Sequence, residues 1–237
     1  MIWLQAVVVL ALLFVTTFSP GFFVLRRCRW SAIERLCGSV ALSLMFLWLT
    51  TWTIYVSGTP MNACYAVSAI CVAMGAASFR DFSRLAATVR VRQTLWGFGF
   101  LLLWLLVALS IVRVYSGAGW SGDWLEHFQR ALFFAERFPP DQRILGNYLL
   151  PARPPAQNLL AAFFLAQTAT RFELFQIAFT FLNLLPFLAC CLVLPLLGRG
   201  SRFGVTPLTV LFAVSPVFVQ NATYTWTKAW WWRWQCY

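Results

Sequence analysis

Residues 121–130, "SGDWLEHFQR", hold the only histidine of the chain, His127, beside two of its seven acidic residues, Asp123 and Glu126. Asp123, Glu126, His127 and Arg130 follow the i, i+3, i+4, i+7 spacing that brings side chains to one face of a helix. Two carboxylates and an imidazole on one face could take and release protons near neutral pH, with an arginine as a fixed cation beside them. The neighbouring face carries Trp124, Phe128, Ala131 and Ala135. Such a helix is expected to lie flat at a membrane surface, rings among the headgroups and acid–base groups toward water or a cavity. A purely structural reading stands beside this one. Asp followed three residues later by Glu is a capping box, in which Asp123 satisfies backbone N–H groups, Glu126 reaches back, and Glu126 and His127 are simply solvated.

The elements that must position this cluster are apolar. Hydrophobic residues make up 61% of the 237 positions and charged residues 11%, where soluble domains carry roughly 25% charged residues. Whole stretches of bilayer-crossing length contain no charge, which excludes a soluble domain and implies several membrane spans. The net charge of +11 is no nucleic-acid footprint, because the basic residues sit in short clusters between apolar runs and not in a stripe. They read instead as a topology signal. The seven cysteines form no C-x-x-C pair and no zinc-type spacing, and are read as small apolar packing residues.

The first run, "IWLQAVVVLALLFVTTFSPGFFVL", is followed at once by "RRCRW", the reverse of a signal peptide's charge order, so the N-terminus is expected outside. Runs 36–57 and 63–79 follow, the second ending at a segment with Arg80, Arg84, Arg90 and Arg92. A fourth run, "LWGFGFLLLWLLVALSIVRVY", then travels outward and delivers residues 116–157 to the extracytoplasmic side. Within or next to that loop two short helices are expected, about 123–137 and 155–169. The second is too short for a comfortable span and is read as interfacial, with a crossing segment as the alternative. Runs 172–197 and 205–219 complete about six spans of an all-α bundle in a multi-pass protein of the plasma (inner) membrane. The arrangement divides into a three-span portion, 1–94, and a portion 95–237 that carries the loop. The aromatic tail "KAWWWRWQCY" has no closing element, and the chain is expected to be the first part of something longer.

An outward span, a loop with an early acid ("GDWLEHFQRALFFAERFP"), a Pro-Pro segment opening a short helix ("ARPPAQNLLAAFFLAQ"), a span, a basic turn and then "FAVSPVFVQNATYTW" together resemble the GT-C glycosyltransferases. These multi-span enzymes, such as protein mannosyltransferases and aminoarabinose transferases, take sugar from a polyprenyl-phosphate carrier. The resemblance covers about residues 95–229. It implies a carboxylate in the first large extracytoplasmic loop that acts at the acceptor, as general base or through a bound divalent metal, and Asp123 is the matching residue. Glu126 and His127 are second candidates. Arg130, Arg143 and Arg153 would hold the donor's phosphate by charge-assisted hydrogen bonds. Many members place an Asp shortly after the "SP", where this chain has "NATYTWTK" with Lys228 its only charge. Lys228 would neutralise a carrier phosphate, or snorkel to the interface. The partners so implied are the bilayer and a polyprenyl-phosphate-linked sugar.

Two other classes stay open. A transporter would carry polar residues inside its spans, for which Asn183 and Pro186 in "FLNLLPFL" are the best feature, unless they only mark a kink. A non-enzymatic scaffold would leave the 116–157 loop without a cavity. A lipid-linked polymer ligase or polymerase would share the topology and differ in the acceptor.

Overall fold

The computed structural model describes residues 2–111, 121–144, 148–149, 156–197 and 204–223. Four long helices come first, α1 (Ile2–Leu25), α2 (Ala32–Val56), α3 (Ala63–Ala87) and α4 (Val89–Ile111). Short elements follow, α5 (Ser121–Ala135), the two-residue strands β1 (Arg143–Ile144) and β2 (Tyr148–Leu149), and α6 (Ala156–Leu165). The described chain ends with α7 (Phe172–Leu184), α8 (Pro186–Leu197), α9 (Val205–Val214) and α10 (Pro216–Thr223). Five helical rods are long and apolar enough to cross a membrane, or six if the bent pair α9–α10 is one span. The protein is an all-α, multi-pass membrane bundle.

Local chemistry explains where the helices start and break. Ser31 and Glu34 form a capping box on α2, with the Ser31 N–H donating to Glu34 Oε2 at 2.7 Å. The arginine-rich segment after residue 79, expected as a loop, is helical. α3 runs on to Ala87 and α4 starts at Val89, with only Thr88 extended between them (φ −65°, ψ 134°). Charged side chains do not break helices; they only leave the apolar stretch, so the run ended in the sequence before the helix did in space. A division of the chain at 94/95 accordingly falls inside α4.

Prolines set the later breaks. Leu185 ends α7 and Pro186 opens α8 at the first helical position, where its missing N–H costs nothing. The run 205–219, expected as one span, is bent by 75° between α9 and α10. Ser215, held extended before Pro216 (ψ 109°), stops α9, and its Oγ accepts the Phe218 N–H at 3.3 Å to start α10.

The α7–α8 rod is the central, most buried one, packed by α1, α2, α4, α6 and α10. Phe14 of α1, Phe98 of α4 and Phe181 of α7 meet edge to face, with centroids 5.2 to 6.1 Å apart. The α1–α2 crossing depends on a glycine next to Pro20. The Gly21 N–H donates to Ser43 Oγ at 2.8 Å, and a Cβ at Gly21 would fall on the Ser39 carbonyl oxygen of α2. Backbone atoms cannot swing away as a flexible side chain can. Gly99, in the middle of α4, has open space where a Cβ would be. Gly21→Ala is therefore expected to destabilise by about 1–3 kcal/mol through overpacking. Gly99→Ala should stabilise by up to about 1 kcal/mol through helix propensity. Thermal unfolding in detergent checks both, and equal shifts would refute the close α1–α2 approach.

Six cysteines are described, all free, and Cys64, Cys71 and Cys191 are buried in the core. Cys236 lies outside the described residues. The arginines from the α1–α2 and α3–α4 junctions gather at one end of the bundle. There Arg26 Nη1 donates to the Ala77 carbonyl at 3.1 Å and Arg90 Nη2 to the Cys191 carbonyl at 3.3 Å. The opposite end carries the α2–α3 turn. At that end the Tyr65 hydroxyl donates to the Gln167 carbonyl at 3.0 Å, between the start of α3 and the residues joining α6 to α7.

Candidate functional site

α5 forms as an amphipathic helix and lies across the end of the bundle that carries the α2–α3 turn. Its N-terminal half meets α7, where Phe128 packs on Phe172 and Phe175 with centroids 5.4 and 5.3 Å apart. Its C-terminal half meets α2, where Phe134 sits edge to face on Tyr55 at 5.0 Å. The helix closes with a left-handed residue that is not glycine, Arg137 (φ 55°), while the Phe138 N–H bonds back to the Phe133 carbonyl at 3.1 Å. The strain of that conformation, about 1–2 kcal/mol, is offset by what the side chain reaches. Arg137 donates to the Tyr55 carbonyl at 3.1 Å, to the Ile54 carbonyl at 2.7 Å and to the Thr59 carbonyl, and its guanidinium sits 5.4 Å from the Tyr55 ring centre. It thus satisfies carbonyls at the C-terminus of α2 and fixes α5 there. Sequence reasoning passed over Arg137, because nothing in the spacing of α5 announces a partner some eighty residues upstream.

The acid–base face of α5 is turned inward. Glu126, His127 and Arg130 are all buried, with Arg130 only 1% exposed. This corrects the expectation of a face toward water, and equally the expectation of solvated residues. Arg130 Nη2 lies 2.7 Å from Glu126 Oε1, an i, i+4 pair closed inside the protein. His127 Nδ1 lies 3.3 Å from Asn158 Oδ1 of α6, and the imidazole packs 6.1 Å from the Phe179 ring of α7. An amide oxygen only accepts, so in this contact Nδ1–H is the donor.

α6 supplies the other half of the site and is buried among other helices, too short to be a crossing segment. Most of its ten residues are buried, from Asn158 through Leu165. At about 1.5 Å per residue it is far too short to cross a bilayer, and it dips into the bundle. Gln157 Nε2 donates to Asn183 Oδ1 at 2.8 Å, midway along the α7–α8 rod, and Asn183 Nδ2 donates to the Asn221 carbonyl of α10 at 3.4 Å. Asn183 is thus more than a kink marker: it ties three helices where two of the broken rods come together. The "QN" pair ahead of an apolar helix was the only available signal, and polar residues that start a helix are usually read as solvated ends.

The candidate residues therefore divide. Glu126, His127 and Arg130 come together, with Asn158 added. Asp123 is the third residue of α5, within its first turn and not at a preceding cap position, so the capping-box geometry with Asp123 as cap does not fit the helix start. Its side chain lies outside what is described. Arg143 is exposed on β1, paired across to Leu149. Arg153 and Lys228 lie outside the described residues. No group of three or more His, Cys, Asp or Glu suited to a metal occurs among the described residues. Chemically the buried arrangement holds a carboxylate and an imidazole in fixed positions out of water, where charge interactions are strong. Compared with protein-family models, with curated proteins and with solved structures, the chain matches none.

Proposed function

We propose that this chain is a membrane glycosyltransferase that moves a sugar from a polyprenyl-phosphate carrier to an acceptor on the extracytoplasmic face. The supporting observation is the buried Glu126–Arg130 and His127–Asn158 pairing on α5 and α6. Burying a charge and an imidazole is costly unless each is paired, and a helix that only seals a bundle end needs neither. In this reading the N-terminus and α5 face outside. Asp123, one turn before the buried pair, takes the acceptor's proton, directly or through a divalent ion, while the lipid phosphate leaves. Glu126 and Arg130 hold the helix that presents it. With the Arg130 guanidinium on Glu126, the donor's phosphate falls to Arg143, Arg153 and Lys228.

The test uses the full gene product in proteoliposomes, supplied with polyprenyl-phosphate-linked sugars and a membrane extract as acceptor source. Release of polyprenyl phosphate with labelled product is the expected result, and a parallel reaction with chelator separates the metal-dependent form from the metal-free one. A protein that neither binds nor consumes any such donor overturns the proposal. A transport component is the second reading, favoured by the Gln157–Asn183–Asn221 chain at the helix breaks, because broken helices at mid-depth are where transporters hold substrate. Solute flux in the same vesicles, lost on Asn183→Leu with donor turnover absent, would select it.

A further inference from the structure

A cavity of about 490 Å³ opens between α1 and α3, far from the α5 site. It runs from Phe14 and Val72, near the middle of the two helices, to Phe22, Phe79 and Phe82 at the arginine end, where Leu95 of α4 closes it. Its size is that of a ligand pocket, and Ser19 and Ser78 are the only hydroxyl-bearing side chains lining it. At Gly75 a Cβ would meet Ser19 Oγ at 2.7 Å, so the missing side chain lets α1 and α3 approach and makes the floor of the crevice.

The mouth is basic. Arg26 stands beside it, bonded to the Ala77 carbonyl and lying 4.3 Å from the Phe23 ring centre. Arg27, Arg80, Arg84 and Arg92 are exposed at the same end. The acids near them are few and engaged: Glu34 closes the α2 capping box and Asp81 lies 3.8 Å from Arg84. An apolar slot that follows two helices and ends in excess positive charge complements a molecule with a long hydrocarbon chain and an anionic head.

The geometry points to a site for one anionic phospholipid of the surrounding bilayer, its acyl chain in the α1–α3 crevice and its phosphate at Arg26 and Arg80. This site is independent of the transferase reading. It makes the arginine end a lipid-anchored end, and the retained chain completes the packing between α1 and α3.

The test is retention of lipid. The full gene product is placed in nanodiscs of phosphatidylcholine doped with a minor fraction of phosphatidylglycerol, then released and weighed by native mass spectrometry. One retained phosphatidylglycerol is expected. Arg26→Gln and Arg80→Gln should each weaken retention by about fivefold, the effect of one surface arginine on an anionic lipid. Ala76→Phe, which fills the slot from a position on its wall, should abolish it. Ala76→Leu serves in its place if the larger ring prevents folding. Equal retention of phosphatidylcholine would reduce the crevice to ordinary bilayer contact. Unchanged retention in the filled variant would put the lipid elsewhere, and a polyprenyl phosphate found there in place of phospholipid would overturn the assignment.

Discussion

Asp123→Asn is expected to lower sugar transfer by about 10²–10⁴-fold, the range that one positioned general base supplies, with KM for the donor little changed. The substitution preserves shape and removes only the proton-accepting charge. Asp123 lies in the first turn of α5, where a negative charge also favours the helix dipole by about 0.3–1 kcal/mol. That contribution is too small to unfold a multi-span bundle, so activity and stability separate cleanly. Glu126 and His127, on the same helix, are buried inside the protein and cannot stand in for a base that must meet a diffusing acceptor. Transfer by the Asn variant at the parent rate would remove Asp123 from the mechanism. A variant that has lost both transfer and its thermal transition would show a structural role instead.

The second large effect is on folding. Glu126→Leu should destabilise the protein by about 3–5 kcal/mol, since it removes the carboxylate that lies 2.7 Å from the buried Arg130 guanidinium. Glu126→Leu combined with Arg130→Met should recover most of that loss, because two apolar side chains of similar size need no compensation for lost hydration. The chain contains its own control. Asp81 and Arg84 form a pair at 3.8 Å on α3, with the Arg84 side chain 83% exposed. Screened pairs of that kind contribute little, so Asp81→Leu should leave the unfolding temperature nearly unchanged. If the two single variants behaved alike, Glu126 and Arg130 would not be enclosed as described. Comparison of transfer in the double variant then decides whether the pair serves catalysis beyond holding α5.

The contrast between these two pairs shows how far the sequence reaches. Both are read with equal ease from spacing along a helix, and neither sequence context says which will be buried. Arg130 is enclosed because α6 and α7 close over α5, and α6 is there because its short apolar run, unable to span a bilayer, can bury itself only against other helices. Hydropathy determined the all-α membrane class and the rods around α1, α2, α3, α4 and α7–α8, since roughly 20 apolar residues have one stable arrangement in a bilayer. It also placed α5 and α6 to within a few residues. The break at Pro186 was legible as a kink too, whereas the break at Pro216, with its 75° bend, was not.

What only the tertiary structure decided is the direction of side chains and the partners they find. His127 meets Asn158, Gln157 meets Asn183, and Arg137 reaches carbonyls at the end of α2. Each of these contacts joins residues far apart in the chain, so no local pattern encodes them. Spacing along α5 put Glu126, His127 and Arg130 on one face by the geometry of a single helix. Whether that face meets water or protein depends on which other helices lose apolar surface to it, a property of the packed bundle and not of any one segment.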